Sequence, residues 1–170
     1  MARNIELKAR LRDPAAARAV ALRLAPPSPE VELQIDTYFV VPHGRLKLRE
    51  IEGRTARLIR YARDDAAVAR ASDYRLVDVV DAPGLKEALS SALGIRAVVK
   101  KRREIRLVDD VRIHLDEVDG LGSFLELETV LNARHDDDDG HRRVARLVRE
   151  FGIVDADLES RSYGDLILGI

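Results

Sequence analysis

The chain has 170 residues, enough for one domain that buries most of its apolar surface, and its 29 Lys plus Arg nearly balance 30 Asp plus Glu. That balance excludes a global basic field for nucleic acid, aromatics at 4% leave few platforms for stacked bases, and the absence of cysteine removes disulfides, thiolate nucleophiles and zinc–thiolate sites together. No apolar stretch follows the N-terminal charges and no uncharged run approaches the length of a membrane helix, so the expectation is a cytoplasmic protein with neither membrane nor nucleic acid as partner.

Residues 3–12 alternate strictly, placing Asn4, Glu6, Lys8, Arg10 and Arg12 on one face of a strand and Ile5, Leu7, Ala9 and Leu11 on the other. Asp13-Pro14 predicts an N-cap with proline at the first helical position, and an Ala-rich helix runs to about Leu24. Pro26-Pro27-Ser28-Pro29 ends it. A second strand is expected at about 31–41, with Gln34, Asp36 and Tyr38 opposite Val31, Leu33, Ile35, Thr37, Phe39 and Val41. After the His43-Gly44 turn, Arg45, Lys47 and Arg49 share one face of a third strand. A fourth spans Thr55 to Arg63, with Arg57, Ile59, Tyr61 and Arg63 together. Residues 64–71 read as a charged loop and Ser72–Val80 as a fifth strand. Asp81-Ala82-Pro83 opens a helix that stops at Gly94.

A sixth strand at about 96–107 is densely basic, with Lys101 and Arg103 on one face and Lys100, Arg102 and Arg106 on the other. The seventh, 111–118, groups Arg112, His114 and Asp116. The eighth follows Gly120-Leu-Gly122 and aligns Phe124, Glu126 and Glu128. Residues 134–140 predict a polar loop whose aspartates suit the positive end of an amphipathic helix over 141–151. A short tail containing Ser162-Tyr163-Gly164-Asp165-Leu166 closes the chain as a single domain.

Eight strands in hairpin-like succession, interrupted by helices, predict an α+β fold with an antiparallel sheet. The polar faces admit two explanations. An open sheet gives them to bulk water; a sheet curled into a barrel makes them line an aqueous interior beneath an outer layer of helices. Alternation does not choose between these. Neighbouring carboxylates such as Glu126 and Glu128 fit either a solvated face or a divalent cation, which takes hard oxygen ligands. A curled sheet would gather Glu6, Glu126, Glu128, Asp116 and Asp36 with Lys8, Arg45, Lys47, Arg49, Lys101 and Arg103. Each set repels itself. A polyanion bridged to the carboxylates by metal ions satisfies both, and a triphosphate is such a ligand. The four histidines lack metal-binding spacing, and Gly120-Leu-Gly122 lacks the rest of a dinucleotide fingerprint.

Several segments in this order and spacing carry a resemblance: Asn4-Ile-Glu-Leu-Lys8, Asp36-Thr-Tyr-Phe39, Leu46-Lys-Leu-Arg49, Ser72-Asp-Tyr74, Val99-Lys-Lys-Arg-Arg103, His114-Leu-Asp116, Gly120–Glu128 and Ser162-Tyr163. The chain resembles the CYTH, or triphosphate tunnel metalloenzyme, superfamily, closest to the class IV (CyaB-like) adenylyl cyclase branch. The resemblance implies an eight-stranded antiparallel β-barrel, or tunnel, with flanking helices. It implies a Mg²⁺- or Mn²⁺-dependent enzyme that hydrolyses an inorganic or organic triphosphate such as tripolyphosphate, ATP or thiamine triphosphate. The alternatives are an adenylyl cyclase making cyclic AMP and pyrophosphate, or a non-catalytic polyphosphate-binding module. By the same resemblance Glu6, Glu126 and Glu128 are metal ligands, and Asp116 is either a further metal-site carboxylate or one that supports the ligands from behind. Lys8, Lys47, Arg49, Lys101 and Arg103 are triphosphate ligands, Arg63 takes a basic position on the fourth strand for which Arg60 and Arg57 compete, and Arg45 is added from its shared strand face with Lys47 and Arg49; Lys8, Arg103 and Asp116 carry the catalysis. Tyr163 is peripheral, and a homodimer is expected. Asn4 departs from the family pattern, standing where a glutamate is usual, and makes a weaker metal ligand.

Overall fold

In the computed structural model, residues 2–62, 70–130 and 137–170 are described. The strands are β1 (Ala2–Arg10), β2 (Glu30–Phe39), β3 (Arg45–Ile51), β4 (Ala56–Ala62), β5 (Arg70–Val79), β6 (Ile95–Val108), β7 (Val111–Val118) and β8 (Gly122–Val130). All pair antiparallel in the cyclic order β1-β5-β4-β3-β2-β6-β7-β8, and β8 returns to β1, so the sheet is a closed barrel. Closure rests on β1, which pairs Asn4 with Ser72 on one side and with Val130 on the other.

Among the described residues four α-helices flank the barrel: α1 (Pro14–Leu24), α2 (Ala82–Leu93), α3 (Asp137–Glu150) and α4 (Tyr163–Leu168). Asp13 caps α1 by accepting from the Ala16 amide, and Asp81 caps α2 by accepting from Gly84, as the Asp-Pro and Asp-Ala-Pro signals predict. Two expectations need correction. Helix α3 begins at Asp137 rather than 141, so Asp137, Asp138 and Asp139 form its first turn instead of a preceding loop. There they complement the helix dipole directly. The short tail, assigned no secondary structure from its sequence, contains the helix Tyr163–Leu168. Residues 70 and 71, expected in a loop, belong to β5, while Arg63 and residues 64–69 lie outside the described residues.

The strand period of two sends one side-chain set outward and the other inward. Outward, Ile5, Leu7 and Ala9 of β1, Val111, Ile113 and Leu115 of β7, and Leu125 and Leu127 of β8 pack under Ala17 and Ala21 of α1 and Val144 and Leu147 of α3. This main core therefore lies outside the barrel wall. A second outer cluster joins Phe39, Leu48 and Ala56 to Leu85 and Leu89 of α2. Of the outward cations on β6, Arg102 pairs with Glu104 at 2.7 Å, and Arg106 donates to the Ala25 carbonyl at 2.6 Å, tying down the proline-rich loop.

Inward, an apolar cluster lies at one end, where Tyr38, Ala97, Val99, Val118 and Phe124 meet Tyr163 and Leu166 of α4. Helix α4 thus forms the floor of the barrel. Above it is a cavity of about 450 Å³ lined by polar side chains of every strand, a size suited to a small-molecule ligand.

Candidate active site

The floor is set by α4. Ser162 caps it, its Oγ accepting from the Asp165 amide at 3.1 Å and donating to Asp165 Oδ2 at 2.7 Å. The same carboxylate reaches Arg45 at 3.0 Å and Arg96 at 2.9 Å, which fastens α4 to β3 and β6. A Cβ on Gly164 would sit 3.3 Å from the Tyr38 ring, so the absence of a side chain permits this close approach. These contacts aim Tyr163 into the lumen. Its ring meets Phe124 edge-on at 5.0 Å between centres, and its hydroxyl donates to Asp116 Oδ2 at 2.8 Å.

Over the floor stand cations held by two fully buried aspartates. Asp36 takes Arg49 through both oxygens at 2.7 Å and Lys47 at 2.7 Å. Asp116 takes Arg103 through both oxygens, at 2.7 and 2.5 Å. Lys101 stands between them, 3.9 Å from Asp36 and 3.8 Å from Asp116. Lys8 donates to the Arg161 carbonyl at 2.8 Å and lies 3.6 Å from Glu126 and 4.2 Å from the centre of the Tyr163 ring. Buried pairs of this kind add little net stability, because desolvation offsets attraction. What they achieve is to hold mutually repelling cations in one place.

The charge states follow. Burial alone would raise the Asp36 carboxyl, but Arg49, Lys47 and Lys101 outweigh it and hold it well below the usual range. Asp116 is lowered because Arg103 and Lys101 outweigh its burial. Glu126 is held well below the usual range because Arg103, a hydrogen bond with His114, and Lys8 overcome burial. The lysines move the other way. Burial and then Arg49 push Lys47 down to about 7 against the pull of Asp36. Burial and Arg103 push Lys101 down to about 8. Burial and Arg103 likewise lower His114, so it is neutral near pH 7.

Acids occupy the β1–β8 wall. The register sets Glu6 directly opposite Glu128, and Lys8 opposite Glu126. Like charges directly across a ladder are destabilising. Asn4, itself buried, donates from Nδ2 to Glu128 Oε1 at 2.7 Å and leaves its Oδ1 without a partner. Arg112 stands 3.8 Å from Glu128, whereas Arg103 is bound to Glu126.

Among the described residues no three acidic or histidine side chains converge closely enough to hold an ion by themselves. The nearest donor set is two opposed carboxylates plus one orphaned amide oxygen, all hard oxygen ligands, and this fits Mg²⁺ or Mn²⁺.

The residues singled out in the sequence therefore separate. Glu6, Lys8, Lys47, Arg49, Lys101, Arg103, Glu126, Glu128 and Asn4 line the cavity together. Asp116 lies behind that lining with both oxygens engaged by Arg103 and Tyr163. Arg45 is paired with Asp165 beside α4, away from the cavity wall. Tyr163 is in the lumen rather than at its margin. Asp36, singled out in the sequence only as a further carboxylate and as part of Asp36-Thr-Tyr-Phe39, is the anchor of two cations, a role that was not assigned to it.

A family model described as the CYTH domain matches residues 2–163. The chain belongs to the CYTH domain family. No curated protein matches it. Among solved structures, this CYTH domain is similar to the PH1012 protein of Pyrococcus horikoshii OT3, with 24% identity, coverage of 96% and 98% of the two chains, and a TM-score of 0.85. A protein of Vibrio parahaemolyticus described as a candidate adenylate cyclase has 22% identity, 97% coverage of each chain and a TM-score of 0.73. HpAC1 of Hippeastrum, a candidate adenylyl cyclase described as revealing a dominant triphosphatase activity, has 15% identity, coverage of 97% and 94%, and a TM-score of 0.65. At these identities the likeness shows the fold.

Proposed function

We propose that the protein is a divalent-metal-dependent enzyme that binds a triphosphate in the barrel and hydrolyses it. The observation that carries this reading is the meeting, over one floor, of cations from β1, β2's neighbours β3 and β6, and acids from β1 and β8. A polyanion accompanied by hard cations engages both sets at once.

In this reading Lys47, Arg49, Lys101 and Arg103 bind phosphate oxygens, with Lys8 as a further cation at the β1 side. Asp36 and Asp116 position them; Asp116 serves Arg103 rather than a metal, since its oxygens are taken. The arginines offer paired donors that match phosphate geometry, and the lysines add point charges. Glu6, Glu128 and the Asn4 amide oxygen would hold Mg²⁺ or Mn²⁺, with Glu126 beside them. Such an ion neutralises phosphate charge and polarises a phosphoryl oxygen. Charge that develops on the departing phosphate is met by preorganised guanidinium groups in a site shielded by α4, where their effect exceeds that in water.

Cyclisation of ATP to cyclic AMP and pyrophosphate is the second reading, supported by the likeness to the Vibrio parahaemolyticus protein. It uses the same clamp and requires the ribose hydroxyl in line with the α-phosphorus.

The test incubates the protein with tripolyphosphate, ATP and thiamine triphosphate, each with Mg²⁺ or Mn²⁺. Orthophosphate release is expected, at least about a hundredfold reduced in Arg103→Ala, on the scale of losing one transition-state donor. Cyclic AMP without orthophosphate would replace hydrolysis by the second reading, and full activity in Arg103→Ala would refute the assignment of the site.

A further inference from the structure

A second group of acids lies across the barrel from the first. In the cyclic order of strands β2 is four places from β1 in either direction, so its inward side chains face the wall that carries Asn4 and Glu6. Away from the floor those side chains are Glu30, Glu32 and Gln34, alternate residues of one face, and all three line the cavity. The phosphate site described above uses none of them.

Glu32 is buried, at 9% exposure, and the cations nearest it along the ladder are engaged elsewhere. Arg103, directly opposite Glu32 on β6, binds Asp116 and Glu126. Lys101, opposite Gln34, stands between Asp36 and Asp116. The cation that does reach Glu32 is Arg54, from the turn between β3 and β4. Its Nη1 lies 3.2 Å from Glu32 Oε1 and also meets Glu30. One positive charge is thus shared by two carboxylates, and one negative charge is left over. Arg54 is half exposed, so an ion can displace it at small cost, since exposed ion pairs contribute little.

An independent observation concerns hydrogen bonding. Gln34, 2% exposed, donates from Nε2 to Glu32, and among the described residues its Oε1, on the same planar amide, has no partner. A buried acceptor left unpaired costs free energy. A water would satisfy that oxygen but not the surplus charge. A hard cation coordinated by the amide oxygen and the carboxylates satisfies both. Ile51 and Ile105, directly opposite Gln34 and Glu30 in the ladder, keep the surroundings apolar, where an uncompensated carboxylate is most costly.

We propose that Glu30, Glu32 and Gln34 form a second divalent-cation site, on the wall opposite Glu6 and Glu128, with Arg54 as the side chain that yields to the ion. The donor set is all oxygen, which suits Mg²⁺, Mn²⁺ or Ca²⁺. The site stands without the triphosphate reading. Under that reading it has a further consequence, because an ion on β2 turns a wall that repels an entering phosphate chain into one that admits it.

The experiment counts bound Mn²⁺ by electron paramagnetic resonance, titrating the metal alone into the protein with no phosphate ligand. Glu128→Gln, which removes the first site, should keep one ion, with a dissociation constant of about 10⁻⁴–10⁻³ M, the range of sites with few charged ligands. Glu32→Gln should bind one ion fewer than the unaltered protein. In the Glu128→Gln background, Arg54→Ala should tighten the remaining site by at least about twofold, the worth of an exposed ion pair. No bound ion in Glu128→Gln would overturn the proposal and leave the site at Glu6 and Glu128 intact. An undiminished count in Glu32→Gln would overturn it as well, and so would unchanged or weaker binding in Arg54→Ala. Because Arg54 is exposed and lies outside the core, its variant keeps the test decisive even where Glu32→Gln does not fold.

Discussion

Lys47 and Lys101 show how single residues record the purpose of the site. A lysine in the unfolded chain titrates near 10.4, whereas in the barrel Lys47 titrates at about 7 and Lys101 at about 8, for want of water and because arginines crowd them. The folded values lie below the unfolded one, so from about pH 7 to about pH 10 the unfolded chain binds more protons and these lysines make stability rise with pH. A bound polyphosphate reverses the crowding and draws protons back. At pH 8, tripolyphosphate binding is expected to take up about one more proton in the unaltered protein than in Lys47→Met. Calorimetry in two buffers of different ionisation heat measures this difference, in which the ligand's own titration cancels. Equal uptake by the two proteins would remove Lys47 from the phosphate site. At pH 6, where both lysines are already charged, the difference should vanish.

Helix α4 is the element on which the site depends most and the one least visible in the sequence. Ser162-Tyr-Gly-Asp165 has the spacing of a capping box, but six residues do not hold a helix in isolation. Its stability comes from Asp165 gripping Arg45 and Arg96 and from Tyr163 reaching Asp116, partners far away in the chain. Ser162→Ala should lower the free energy of unfolding by about 0.5–2 kcal/mol, the ordinary cost of losing an N-cap, as read by denaturant titration. An unchanged midpoint would mean that the cap is dispensable. The strands are a different matter. Their inward and outward faces follow from the period of two and were legible in Asn4–Lys8, Gln34–Tyr38 and Phe124–Glu128. Whether the sheet closes was not, because closure is made by β1 pairing with β5 and β8 across most of the chain length, and no local pattern encodes it. The resemblance to a known family supplied that step. Depth within the barrel was equally hidden: Asp36 and Asp116 alternate like Glu126 and Glu128, yet the first two are sealed behind arginines and the others face the cavity.

At the scale of the molecule, the barrel is built inside out, with polar groups within and the main core between its outer wall and the helices. Where no helix covers the outer wall, apolar side chains are therefore left exposed among its charged ones. On β2 and β6 one such stretch remains, where Val31, Leu33, Ile35 and Val98 are between 38% and 49% exposed. Arg102 and Lys100 stand directly across from Leu33 and Ile35, with Glu50 and Glu52 flanking on the β3 side and Glu117 and Asp119 on the β7 side, so the patch carries both signs of charge, as a self-complementary contact across a two-fold axis requires. The homodimer expected from the family resemblance is therefore proposed to form here. Light scattering should report a dimer of the unaltered protein and a monomer of the double variant Leu33→Asp and Ile35→Asp, while a monomeric unaltered protein would refute it.

The distribution of aromatic residues has a practical consequence. The chain has no tryptophan and four tyrosines, and Tyr38, Tyr61, Tyr74 and Tyr163 all line the same cavity. Every side chain that absorbs strongly near 280 nm therefore looks into the barrel. The near-ultraviolet absorbance and emission of this protein are those of its interior alone, so the unlabelled molecule carries its own optical probe, and carries it only where a ligand would pass.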